Sequence, residues 1–123
     1  MIPAVYYRMR APSQRACVPA IFLDRDGVIV QDIGYLHRAV DICYIDGALE
    51  AIASLNELGF PVVLITNQAG IGRGMYGWAE FEQVQERIER DLARHGGQLD
   101  GVWACAAHPC GIGELAHPSH PFR

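Results

Sequence analysis

The sequence predicts an open α/β fold on a parallel sheet, and three observations carry that expectation. Two apolar runs, "AIFL" at 20–23 and "FPVVLI" at 60–65, do not alternate in polarity, which suits strands of a parallel sheet. Each is followed, after a loop, by a stretch with apolar residues at helical spacing. A third short strand pattern, "DGVWAC" at 100–105, completes the order strand, helix, strand, helix, strand.

Residues 1–18 read as an irregular leader broken by Pro3 and Pro12, with Pro19 just beyond; "AVYY" is at best a short edge strand. The domain proper is expected over 19–123. Its first strand, 20–24, reads as buried on both faces. Residues 27–46, with Gly27 and Gly34 and no clear period, read as an irregular or hairpin insertion. A helix then opens with Asp46 as N-cap, aligns Ala48, Leu49, Ile52, Leu55 and Leu58, and stops with Gly59 at C′. The second strand covers 60–66. "NQAGIGRGMYG" at 67–77 reads as a Gly-rich loop. The helix at 78–95 turns Phe81, Val84, Ile88 and Leu92 inward and Glu82, Glu86, Glu89 and Arg90 outward. The final 18 residues hold three Pro and three His and read as loop.

Composition narrows the function. At 123 residues the chain is one domain at most, and with half its residues apolar it can build a core. No run is long enough to span a membrane, and Arg8, Arg10 and Arg15 precede no apolar signal core. Four cysteines without framework spacing suit reduced thiols and a cytoplasmic location. A net charge of −4 with no basic run argues against nucleic acid as a partner, and no membrane partner is expected. All ten basic residues are arginine, so the sequence contains no lysine.

The chemistry lies at the strand ends. In an open α/β sheet, ligands bind beyond the carboxyl ends of the strands. Asp24 and Asp26 end the first strand, and Thr66 and Asn67 end the second. Two carboxylates one residue apart repel unless a cation or a working proton sits between them. With a neighbouring hydroxyl and turn N–H groups they suit Mg²⁺ holding a phosphate. One carboxylate can attack phosphorus while the other protonates the leaving oxygen and then activates water. Gly27 lets the chain turn so that both side chains aim inward. Taken singly these motifs are weak: D-x-D-G also suits a solvated turn, and "AGIGRG" lacks the Gly-Lys-Ser/Thr ending of a P-loop.

Together, "FLDRDGVI" followed by "VVLITNQAGIGRG" resembles the haloacid dehalogenase superfamily, in the branch of heptose-bisphosphate and histidinol-phosphate phosphatases. The resemblance covers roughly residues 20–123. It implies a Rossmann-like sheet and Mg²⁺-dependent hydrolysis of a small-molecule phosphate monoester, a sugar phosphate of the heptose-bisphosphate kind. Histidinol phosphate and polynucleotide ends remain alternatives. By the resemblance Asp24 matches the nucleophile and Asp26 the acid/base, with Asp24 and the Asp26 carbonyl contacting Mg²⁺. Thr66 and Asn67 match the groups that bond the transferring phosphoryl. Asp32, Gly34 and Tyr35 match a substrate-facing insertion, and Gln68 and Arg73 the loop after the second strand. For Tyr35 plain packing, and for Arg73 a surface ion pair, is an equal alternative.

The sequence also departs from the family's pattern. The family's phosphate-neutralising lysine follows an arginine that Arg123 matches, and the carboxylates that complete the Mg²⁺ shell have no counterpart here. The chain is therefore expected to be incomplete at its C-terminal end. It is either part of a working phosphatase or an inactive remnant that at most binds phosphate, and its bare sheet edge invites self-association. Related enzymes carry a zinc loop at 105–122. Cys105, His108, Cys110, His117 and His120 could supply four ligands there, but a metal-free loop is expected.

Overall fold

The computed structural model describes residues 2–10 and 17–122. A four-stranded sheet has the order β1-β4-β3-β2. β2 (Ile21–Leu23), β3 (Val62–Asn67) and β4 (Gly101–Cys105) run parallel, and β1 (Val5–Met9) joins β4 antiparallel. Helix α1 (Ala48–Glu57), the short α2 (Ala69–Gly72) and α3 (Trp78–Arg94) follow, with 3₁₀ turns at Ala39–Asp41 in the insertion and at Gly113–Leu115 in the final segment expected to be loop.

Continuous apolar runs make β3 and β4, and the helices that follow the strands bury them. Leu49 and Ile52 of α1 and Phe81, Val84, Ile88 and Leu92 of α3 are buried with Val62, Leu64, Val102 and Ala104 in one core. The inward stripe of α3 is the expected one, and it also buries Gln85 and Asp91. Gly59 has φ +88 just past α1, the left-handed stop expected of it.

Several local expectations need correcting. The leader is not wholly irregular. Its residues 5–9 contain no proline and carry β-prone Val5, Tyr6 and Tyr7, so they pair with β4 from Val5↔Cys105 to Met9↔Gly101. Tyr6 then packs 5.6 Å from Trp78 and 5.3 Å from Phe81, and the Trp78 indole N–H donates to the Pro3 carbonyl at 2.8 Å. The rest of the leader includes 11–16, outside the described residues. β2 is not buried on both faces, because it is an end strand and Phe22 is exposed.

Helix α1 is capped by Gly47, at φ +78, and not by Asp46. The left-handed glycine turns the chain one residue later than the sequence suggested. The segment 67–77 is not all loop, since α2 forms within it. Its glycines serve close packing: a Cβ on Gly70 would run into the Tyr76 ring, and one on Gly72 into the Ala106 carbonyl oxygen.

The insertion at 27–46 is irregular, as expected, but firmly held. Val30 bridges Tyr44, Gln31 N–H donates to the Cys43 carbonyl at 2.7 Å, and Ile29, Val30 and Leu36 are buried. The Tyr44 hydroxyl donates to Asp91 of α3 at 2.7 Å. Arg87 (2.9 Å) and Arg94 (3.2 Å) meet the same carboxylate. The insertion is thereby fixed over the carboxyl ends of β2 and β3.

Candidate active site

β2 and β3 are direct neighbours, Leu23 beside Leu64, so their carboxyl ends open onto one cavity of about 190 Å³. Asp24, Asp26, Asp32, Gly34, Tyr35, Asn67 and Gln68 of the expected set line it, as do Arg25, Leu36 and Tyr76. Larger hollows lie elsewhere. One of about 340 Å³ beside Arg8, Arg10 and Asp100 sits at the opposite end of β4, away from every expected site residue.

The acidic turn is set by backbone bonds. The Arg25 carbonyl accepts the N–H groups of Ile29 at 2.9 Å and Val30 at 3.1 Å. Gly27, at φ +85, donates to the Val30 carbonyl at 2.7 Å. A left-handed residue is needed there, and glycine adopts that conformation without a Cβ clash.

The two carboxylates then part. Asp24 is exposed, and one of its oxygens accepts the Arg25 backbone N–H at 2.7 Å. Asp26 turns inward to the side chain between them. Arg25, only 1% exposed, forks onto it through Nε and Nη2, each at 3.1 Å. The cation that lets two carboxylates stand one residue apart is thus supplied by the chain itself.

A polar network surrounds that pair. Arg25 Nη2 also reaches the Leu36 carbonyl at 3.5 Å and Gln68 Oε1 at 3.4 Å, and its guanidinium lies 5.6 Å from the Phe81 ring centroid. Gln68, buried, donates to Thr66 Oγ1 at 2.9 Å and to Asp26 at 3.4 Å, and accepts the Tyr76 hydroxyl at 2.6 Å. Thr66 Oγ1 donates to Asp26 at 3.4 Å. Burial pushes the Tyr76 hydroxyl up to about 12, so it stays a donor at neutral pH.

At the rim, Asp32 accepts the Gly34 N–H at 2.9 Å across a tight turn in which Gly34 has φ +94. Arg73 does not line the cavity. Its Nη1 donates to the Tyr35 hydroxyl at 2.5 Å, and its guanidinium sits 5.8 Å from the Tyr35 ring centroid, tying α2's loop to the insertion. Arg123 lies outside the described residues.

Sequence reasoning missed Arg25 and Tyr76. Arg25 carried a signal, since a charged residue between two acids on a run of apolar residues needs a buried partner. Tyr76 carried none, because its role depends on the fold of 67–77.

The donor set was tested for metals. For Mg²⁺ the exposed Asp24 carboxylate is a suitable hard ligand, whereas the Asp26 carboxylate is taken up by Arg25, Thr66 and Gln68. Among the described residues no group of three or more His, Cys, Asp or Glu is placed to hold a metal ion. At the zinc-loop positions, Nδ1 of His108, His117 and His120 each accepts the backbone N–H two residues on. Cys105 Sγ lies 3.6 Å from His120 Nδ1, and the His117 and His120 rings meet edge to face with centroids 5.3 Å apart.

No protein-family profile matches the chain. Solved structures do. A haloacid dehalogenase-like phosphatase from Mesorhizobium loti superposes with a TM-score of 0.91 at 43% identity, covering 98% of this chain and 58% of its own. In fold and in sequence the chain is similar to part of a haloacid dehalogenase-like phosphatase. Its curated relatives are more particular. The D-glycero-β-D-manno-heptose-1,7-bisphosphate 7-phosphatase of Mesorhizobium japonicum is 46% identical over 106 residues, 86% of this chain and 49% of the relative. The Escherichia coli K12 protein of that name is 46% identical over 94 residues, again 49% of its length. A D,D-heptose 1,7-bisphosphate phosphatase from B. bronchiseptica, solved with magnesium and phosphate, has a TM-score of 0.71 at 35% identity over 75% of this chain and 52% of its own. The chain spans about half the length of the curated relatives it matches.

Proposed function

We propose that this chain contributes the nucleophile half of a phosphatase site that acts on a sugar phosphate of the heptose-bisphosphate class. The observation that carries the reading is the division of the two carboxylates: Asp24 exposed in the cavity, Asp26 held beside Thr66.

An Asp24 oxygen attacks phosphorus, forming the Asp24–phosphate bond while the bond from phosphorus to the sugar oxygen breaks. Asp26 delivers a proton to that departing oxygen. It then takes a proton from the water that attacks the phosphoaspartate, releasing inorganic phosphate and restoring Asp24. In the geometry described Asp26 is an acceptor for Arg25, Thr66 and Gln68, so it must rotate out of the Arg25 fork to protonate the leaving oxygen. Asn67, at the cavity wall, donates to the phosphoryl oxygens, and Asp32, Gly34 and Tyr35 face the sugar. A bound Mg²⁺ supplies charge neutralisation at the phosphoryl oxygens, and Asp24 with the Asp26 carbonyl would hold it. The cytoplasm suits the four free cysteines, and the unpaired β2 edge supports weak self-association.

A second reading is an inactive remnant that at most binds phosphate. It is favoured by a sequence without lysine and by a cavity in which, among the described residues, the one lining cation, Arg25, is already paired with Asp26. A missing cation beside a transferring phosphoryl costs several kcal/mol, or about 10³-fold or more in rate. The test is acid-quenched trapping of phosphoenzyme with labelled heptose bisphosphate and Mg²⁺. Labelling that Asp24→Asn abolishes supports the first reading; phosphate binding without labelling supports the second.

A further inference from the structure

His37 takes no part in the chemistry above, yet it stands where two walls of the cavity meet. One wall is the turn 32–35 of the insertion; the other is Gln68, which donates to Thr66 and Asp26. His37 is half-buried and does not itself line the cavity.

Its two contacts reach both walls. Nδ1 lies 2.7 Å from the Tyr35 carbonyl oxygen. A carbonyl only accepts, so the proton of the neutral ring sits on Nδ1 and is donated there. The ring lies nearly parallel to that of Tyr76, 14° apart with centroids at 5.3 Å. The Tyr76 hydroxyl in turn donates to Gln68 Oε1 at 2.6 Å. Tyr35 and Tyr76 also close on one glycine: a Cβ on Gly70 would strike the Tyr76 ring and come within 2.9 Å of the Tyr35 ring.

The turn depends on such side-chain ties. Among the described residues no backbone group of 32–35 bonds another backbone group. The Asp32 bond to the Gly34 N–H is internal to the turn, and the Tyr35 hydroxyl is met by Arg73, an exposed side chain. Only His37 ties the backbone of Tyr35 to a ring of the opposite wall.

We propose that His37 is a positioning residue: by donating Nδ1–H to the Tyr35 carbonyl while stacked on Tyr76, it fixes the Asp32–Tyr35 turn against the Gln68 network and so sets how the sugar side of a phosphate ester is held. The role rests on the reading of this cavity as a phosphate-ester site, and His37 acts through Tyr35 and Tyr76 without touching the ligand. Two substitutions separate its contacts. Asn places a side-chain N–H where Nδ1 stands but has no ring; Phe keeps a ring for Tyr76 but has no donor. The turn should therefore survive His37→Asn better than His37→Phe, the reverse of the order that plain packing on Tyr76 would give.

The test uses the full 123-residue chain as parent, His37→Asn and His37→Phe, each checked for folding by calorimetry. Nitrogen-15 spectra of the parent should show the neutral His37 ring protonated at Nδ1. The Gly34 and Tyr35 amide resonances should stay near their parent positions in His37→Asn and move or broaden in His37→Phe. In titrations with Mg²⁺ present, His37→Phe should weaken binding of heptose bisphosphate about fivefold, the worth of one hydrogen bond, and that of inorganic phosphate by less than about twofold. His37→Asn should recover most of the loss. The proposal is overturned by a ring protonated at Nε2, by turn resonances unmoved in His37→Phe, by equal weakening of both probes, or by a Phe variant that outperforms the Asn variant. If neither probe binds the parent, the phosphate-ester reading falls, and the imidazole tautomer and the turn resonances still decide whether His37 holds the turn.

Discussion

Replacing Arg25 with Met tests the idea that the acidic turn is held together by its own cation. Methionine keeps an unbranched chain over Phe81 but removes two 3.1 Å bonds to Asp26, one to Leu36 and one to Gln68. Removing one partner of a fully buried ion pair costs about 3–5 kcal/mol. Arg25 is buried, but the Asp26 side chain is 21% exposed and can recover some hydration, so the lower end applies, about 3 kcal/mol. At this chain length each kcal/mol moves the melting point by about 4 °C, so calorimetry at pH 7 should show a fall of about 12 °C. Asp26→Asn in the same background should restore part of the loss, with a coupling of about 1.5–3 kcal/mol in a double-mutant cycle. Asp24→Asn, altering an exposed carboxylate, should stay within about 0.5 kcal/mol of the parent. An Arg25→Met protein within 1 kcal/mol of the parent, or strictly additive effects, would refute the reasoning.

Asp91 should make the fold acid-sensitive. Burial pulls its carboxyl up, but bonds from Tyr44 and Arg87 and the charges of Arg87 and Arg94 outweigh that and hold it below the usual aspartate value. Its contribution is therefore full above the unfolded value of about 3.9 and is lost as pH falls through the lower folded value; urea midpoints of the parent and Asp91→Asn should differ at pH 7 and converge near pH 2–3. Tyr76→Phe should remove a tyrosinate absorbance step near pH 12 and, by deleting the 2.6 Å bond to Gln68, cost about 1 kcal/mol in a urea melt. Asp32→Asn, which keeps an oxygen for the Gly34 N–H, should tighten binding of inorganic phosphate about fivefold in metal-free calorimetry, since it removes roughly 1 kcal/mol of like-charge repulsion.

The sheet's parallel core was legible because unbroken apolar runs such as 60–65 have few other uses, and α3 because its inward stripe runs from Phe81 to Leu92 within a helix of 17 residues. β1 was obscured by the prolines around it, and what makes it a strand is tertiary: an open β4 edge, and a pocket for Tyr6 against Trp78 and Phe81. The cap of α1 was misplaced because Asp46 and Gly47 both suit a helix start, and only the backbone decides between them. At the site, adjacency of Asp26 and Thr66 could be anticipated from two neighbouring strand ends. For the Arg25 fork the signal was only its place between two acids on an apolar run; how deeply it is buried, 1% exposed, comes from the packing of the insertion and β3 around it.

The charge of the cavity and the bareness of the sheet face have a common origin in β2. Among the described residues three carboxylates, Asp24, Asp26 and Asp32, line the cavity against one cation, Arg25, and that cation is already forked onto Asp26. Two carboxylates are left to face any entering phosphate, and at about 1 kcal/mol per close pair in a watery mouth they oppose a dianion by a few kcal/mol. The cavity therefore works only if positive charge arrives from outside the lining described, as a divalent cation, a side chain, or both. Phe22, the residue that most exposes β2 to a partner, lies two positions before Asp24 on the same short strand. A polypeptide that paired with that edge would fix the backbone leading into Asp24 and could bring its own charged groups to the mouth. Covering the face and balancing the cavity would then be one event, because both act on the strand that leads into Asp24.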